Sequence, residues 1–194
     1  MKKNIIWIVC AVVLIVFLAL NAKVIDKGAE GQYTGVVAFD ASSSTSNDWD
    51  AILAEITETA VDFADVDLKS LGSGKAVRIT GTVGEYISKA NGKKNSITII
   101  PDGFSGSEVV TVQLGSVYTG TSVRDIQTVK AFGDFTNQTE WSQYAKAINS
   151  QLHELVVQPL GIDESIQGKT VTVIGAATAS GEEVTITPVS ITIG

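Results

Sequence analysis

Three observations predict an α+β fold closed into a five-stranded barrel. From Val77 onward the elements read strand, strand, strand, helix, strand, strand. The first and fourth of these strands carry alternating apolar residues that lead into a glycine, Gly81 and Gly175, which suits a strand that must coil at a barrel corner. The helix falls between the third and fourth strands, where it can plug one end of the barrel. This is the element order of an OB-type barrel. An N-terminal helical extension and a hydrophobic anchor helix precede it.

The strands are Val77–Val83, Ile97–Ile100, Val109–Leu114, Gly168–Gly175 and Val184–Ile193, all alternating or β-branched and separated by Gly, Ser and Asn turns. The plug runs from about Thr139 to Val156, with Trp141, Tyr144, Ala145, Ile148, Leu152 and Leu155 on one face. Asn137 and Glu140 are spaced as its N-cap and third residue, and Pro159 and Gly161 end it. An earlier helix starts near Asn47, capped by Ser46 or Asn47, and presents Trp49, Ile52, Leu53, Ile56, Ala60 and Phe63 at helical spacing. Before it, the hydroxyl-rich Ser42–Ser46 and the polar stretch from Asp26 to Gly35 read as connectors around a short strand, Tyr33–Phe39. Three segments result: 1–22, a hydrophobic signal anchor or signal peptide; 23–47, a connector with a short strand; and 48–194, an extracytoplasmic helix plus barrel.

Lys2 and Lys3 precede an unbroken apolar run from Ile5 to Leu20. As a helix it would span roughly 24 Å, between the lengths of a signal peptide's apolar core and a full membrane span. Leu20-Asn21-Ala22 is a poor cleavage site, because a bulky Leu stands where a small residue is wanted. A retained anchor is therefore expected, with the basic pair in the cytoplasm and the body on the extracytoplasmic, periplasmic side of the cell membrane. Cys10 lies inside this run after Trp7-Ile8-Val9, which is no lipidation motif. Beyond it the chain has no thiol, so disulfides and cysteine-based metal sites are excluded from the body.

The chain carries a formal charge of −7, and because residues 1–22 hold only Lys2 and Lys3, the remainder carries −9. An acidic body without a basic stripe repels polyanions, so nucleic acid is not an expected partner.

Catalytic constellations are scarce. His153, the single histidine, reads as an ordinary helix-boundary residue without a second ligand or a nucleophile motif. Asp62, Asp65 and Asp67 lack the spacing of a calcium loop and read as a solvated charge run. Tyr86, Lys89, Lys93 and Lys94 could meet an anion or simply form a wet hairpin loop. Asn137-Gln138-Thr139 matches a glycosylation acceptor by pattern only. Neither a metal nor another cofactor is expected.

Two stretches stand apart. Gly115-Ser116-Val117-Tyr118-Thr119-Gly120-Thr121-Ser122-Val123-Arg124-Asp125 resembles the G-x-V-x-x-G-T-x-x-R-D signature of a family of uncharacterised bacterial predicted periplasmic lipoproteins. Phe132-Gly133-Asp134-Phe135-Thr136-Asn137-Gln138 is similar to the F-x-D-F-x-N-Q signature that follows in that family, and Ala147-Ile148-Asn149, Gly168-Lys169 and Ile186-Thr187-Pro188-Val189 continue the likeness. Many members carry a lipidated cysteine before Lys and aliphatic residues. Here Ala22 precedes Lys23-Val24-Ile25, so a hydrophobic helix would take the lipid's place. The resemblance also implies company, since genes of the family often sit beside sugar-type ABC transporters and their binding proteins. It implies no known activity.

Arg124, Asp125, Asp134, Asn137 and Gln138 are the candidate ligand- or partner-binding residues, because they set polar groups between aromatics in a connection. Such groups are either hydrogen-bonded architecture or a site, and Arg124 is expected to lie partly buried against Asp125 or Asp134. The leading expectation is a non-enzymatic, membrane-tethered accessory or binding protein of a sugar-type ABC transport system. The alternative is an enzyme acting on an envelope sugar or glycan, with Asp125 and Asp134 as an acid and base pair.

Overall fold

The computed structural model describes residues 38–194. The expected anchor and most of the expected strand Tyr33–Phe39 lie outside that span. Among the described residues no helix is long and apolar enough to cross a membrane.

The first helix, α1 (Ala41–Thr59), begins six residues before the expected start. Asp40 is its cap, accepting from the Ser43 amide at 3.1 Å, so Ser42–Ser46 are helical and not a connector. The buried stripe explains the difference: Thr45, Trp49, Ile52 and Ile56 are all buried, and Thr45 extends the face one turn upstream despite its polar side chain. Phe63 is buried too, but in a separate 3-10 turn (Phe63–Asp65) after a two-residue strand, β1 (Val61–Asp62).

The barrel strands are β2 (Lys75–Ile87), β3 (Ser96–Pro101), β4 (Val109–Gln113), β5 (Thr170–Ser180) and β6 (Glu183–Ile193). The sheet runs β1-β2-β3-β4-β6-β5 and closes by antiparallel pairing of β2 with β5, from Lys75 opposite Ala177 to Thr82 opposite Thr170. β4 and β6 pair in parallel, and β1 adds to β2 in parallel. Within β2, Val77, Ile79, Gly81 and Val83 are buried while Arg78 and Thr80 are exposed, the period-two pattern that a barrel wall requires. Gly81 and Gly175 have carbonyl oxygens of Ile100 and Thr187 directly over the positions a Cβ would take, and a register shift stands at Ile174/Gly175. The two expected corner glycines thus mark places where neighbouring backbones crowd the strand.

A short helix α2 (Ser122–Ile126) and a 3-10 turn (Phe132–Asp134) lead into α3 (Gln138–Leu152), which buries Tyr144, Ala145, Ile148 and Leu152 and packs against α1. Each fully buried aliphatic side chain stabilises by about 1.5–3 kcal/mol relative to exposure. Leu155 departs from the expected face: it is 56% exposed, and Val157 is buried instead. The reason is a π turn over His153–Val157, whose wider spiral rotates the following residues relative to an α-helical count.

Candidate functional site

The G-x-V-x-x-G-T-x-x-R-D stretch is a loop that folds onto itself and onto α3. Arg124 forms an ion pair with Asp125, donating through Nε at 2.8 Å and through Nη2 to the same carboxylate oxygen, with side chains 14% and 26% exposed. Nη2 also donates to Thr121 Oγ1 at 3.1 Å, and that hydroxyl donates to the other Asp125 oxygen at 2.6 Å. The guanidinium lies 4.5 Å from the centroid of the Trp141 ring. Arg124 is therefore partly buried against Asp125, one of the two expected partners.

Asp134 is placed elsewhere. It accepts from the Ala131 amide at 2.8 Å and so closes the 3-10 turn. Asn137 caps α3, accepting from the Glu140 amide at 3.0 Å, while the Glu140 carboxylate reaches back to the Thr136 amide at 2.8 Å. Gln138 is the exposed first residue of α3. The structure thus brings Arg124 and Asp125 together, whereas Asp134, Asn137 and Gln138 serve turn and helix ends. Asp62 and Asp67 likewise accept from the amides of Ala64 and Lys69 at 3-10 turns, and among the described residues no group of three or more His, Cys, Asp or Glu is arranged to hold a metal ion.

Three anchors were not evident from residue spacing. Gln127, 6% exposed, clips the loop by donating to the carbonyls of Arg124 and Lys130 and accepting from the Lys130 amide. Glu55 of α1 accepts from both the amide and the hydroxyl of Thr128. Gln113 at the end of β4 accepts from the Thr119 amide at 2.7 Å and donates to Thr187 Oγ1 at 2.9 Å, a hydroxyl that also accepts from Ser122. Nothing in the sequence marks this contact, because β6 carries Thr185, Thr187, Ser190 and Thr192 alike and only the fold shows that Thr187 is buried.

Gly115 explains the head of the signature. The carbonyl of Lys93 sits where a Cβ would stand, so only glycine lets the 88–95 hairpin loop come this close. The amides of Leu114 and Gly115 donate to the Asn95 carbonyl at 2.8 and 3.0 Å, and the Val117 amide to the Lys93 carbonyl at 2.8 Å. These bonds hold a loop in which Ala90 and Asn91 adopt left-handed φ of 51° and 53°, a conformation costing roughly 1–2 kcal/mol for L residues.

Between this loop and the β5–β6 turn lies an open cleft of about 380 Å³, lined by Lys89 and Lys94 on the loop side, Thr111 on β4, Thr119, and Glu183 and Thr185 on β6. Of the four hairpin residues considered for anion contact, Lys89 and Lys94 line this cleft, while the hydroxyl of Tyr86 accepts from Asn95 Nδ2 at 2.6 Å.

The family described as predicted periplasmic lipoprotein (DUF2291) matches residues 69–192. The chain belongs to that family. Membership agrees with a membrane-associated, extracytoplasmic location. An OB-fold protein from Thermotoga maritima has a similar structure, with a TM-score of 0.55 at 16% identity over 81% of this chain and 99% of the other. That likeness concerns the fold alone, and it agrees with the closed five-stranded barrel. No curated protein matches the sequence.

Proposed function

We propose that this family member is a membrane-tethered accessory protein that works by binding, presenting the open cleft beside the 88–95 loop to a subunit of a sugar-type ABC transport system outside the cytoplasm. The observation that supports this reading is the cleft itself. Its hydroxyl groups and two ammonium groups are recognition chemistry, and its walls are fixed by the signature residues Gly115 and Val117 together with Thr119, which stands at a variable position of the signature. A loop held in left-handed backbone by several tertiary hydrogen bonds is preorganised, which lowers the ordering cost of association. The net acidity of the body argues against nucleic acid as the occupant. The apolar run Ile5–Leu20 serves as the tether in this reading.

Site-specific photocrosslinking in native membranes tests it. A crosslinker at position 89 or 119 should capture a permease or solute-binding subunit, and one at position 58 on α1 should not. Capture of no transport subunit from the cleft positions refutes the transporter assignment. N-terminal sequencing that begins at Lys23 refutes the retained tether.

A further inference from the structure

A second, smaller cleft opens beside the first hairpin loop at the π turn. It has a volume of about 180 Å³, and Tyr86, Asn95, Leu114, His153, Val157 and Ile162 are among the residues that line it. Asn95 lines the wide cleft as well. Buried polar atoms in native proteins are almost always hydrogen-bonded, and a cluster of exceptions calls for an explanation. Among the described residues, three occur in this corner. Asn95 uses Nδ2 on Tyr86, yet its buried Oδ1 has no partner. His153 Nδ1 is buried without a partner, and so is the hydroxyl of Tyr118, whose ring stands edge-on to His153 at 6.4 Å. The π turn is what carries His153, and such turns concentrate at functional sites.

We propose that this cleft binds a compact, uncharged, polyhydroxylated molecule, a monosaccharide or a small polyol. The size sets the first limit, because drug-sized ligands need about 300 Å³ or more. Charge sets the second: among the described residues no Asp, Glu, Lys or Arg lines the cleft, so an ionised ligand would enter without a counter-charge. The polar groups set the third. Asn95 and His153 bring a carboxamide and an imidazole to its lining, and between them these groups can donate and accept, a mixture that suits hydroxyl groups, which do both. Leu114, Val157 and Ile162 offer an apolar wall for the C–H face of such a molecule. The site stands independently of the transporter assignment, which rests on the wide cleft.

The histidine supplies a clean readout, because His153 is the only one in the chain. Full-length protein labelled with ¹⁵N-histidine, in detergent micelles, is titrated with D-glucose, D-ribose and xylitol, with glucuronate and glucosamine as charged counterparts. At least one neutral probe should shift the imidazole ¹⁵N signals saturably and give one-to-one binding by calorimetry. The charged counterparts should bind at least roughly tenfold more weakly, and His153→Phe should lose at least roughly tenfold in affinity with its melting transition retained. If His153→Phe does not fold, the imidazole signals of the native protein still decide. The proposal is overturned if no neutral probe moves those signals by about 10 mM. It is equally overturned if charged and neutral probes bind alike, or if a folded His153→Phe variant binds undiminished.

Discussion

Arg124 lays its guanidinium over the indole of Trp141, with Cζ 4.5 Å from the ring centroid, while its edge grips the neighbouring Asp125. One side chain thereby ties α2 to the first turn of α3, and the ties differ in worth. The ion pair is partly solvated, so it contributes at most about 1 kcal/mol, and stacking on an aromatic face adds roughly 0.5–2 kcal/mol. Arg124→Ala should therefore destabilise by about 2 kcal/mol, and Arg124→Lys, which keeps the charge but loses the planar fork, by about half of that. Chemical denaturation of both variants checks this. An unchanged midpoint for Arg124→Ala would show that the residue is not a brace.

Gly115 faces the carbonyl of Lys93, and the whole 88–95 loop depends on that approach. Adding one methyl must push the loop away or distort β4, with a cost of about 1–3 kcal/mol for overpacking. Gly115→Ala should also speed hydrogen exchange at the amides of Leu114, Gly115 and Val117, whose acceptors sit on the loop. Exchange at the wild-type rate in the variant would mean that the loop is positioned by something else.

The barrel was legible because its signals are local and periodic: β2 alternates buried Val77, Ile79 and Val83 with exposed Arg78 and Thr80, and one sheet face against one core leaves little freedom of register. Asn137 and Glu140 were legible for the same reason, since cap spacing is fixed by the first turn of a helix. Where tertiary contacts override propensity, spacing misleads. Ser42–Ser46 is a poor helix by composition, yet Thr45 is buried and Asp40 caps the turn, so packing decides. Leu155 was misplaced because nothing in the sequence marks a π turn. Among the candidate residues, Arg124 with Asp125 followed from cost, an unpaired half-buried charge being unfavourable, whereas the partners Gln113–Thr187 and Glu55–Thr128 are 74 and 73 residues apart in the chain and carry no local pattern.

Glu55 and Thr128 allow a direct test of the long-range latch. The carboxylate accepts from the Thr128 amide at 3.0 and 2.9 Å and from its hydroxyl at 2.7 Å. Glu55→Ala should cost about 1–3 kcal/mol, as expected for hydrogen bonds to a charged group. Thr128→Ala removes only the hydroxyl and should cost less. A double-mutant cycle should give a coupling of at least about 0.5 kcal/mol. Strict additivity of the two single effects would mean that the latch contributes nothing in solution.

Two tyrosines should make stability fall at alkaline pH. Burial pushes the Tyr118 hydroxyl well above the ordinary phenol range. Tyr144 is raised by burial first and then by Asp48, whose carboxylate accepts the phenol proton at 2.9 Å. The folded state thus holds both protons more tightly than the unfolded chain, where a phenol ionises near pH 10. The contribution is present in full below about pH 10 and is lost above it, because the unfolded state releases its protons first. Urea midpoints should accordingly drop progressively as the pH is raised above about 10. Tyr118→Phe and Tyr144→Phe remove the titrating groups, so each should flatten the drop. Their effects at pH 7 should differ. Tyr144→Phe gives up the bond to Asp48 and should cost about 1–2 kcal/mol, while Tyr118→Phe deletes a hydroxyl without a partner and should be neutral or stabilising. An alkaline drop just as steep in the double variant as in the wild type would assign the loss to other groups and refute the argument.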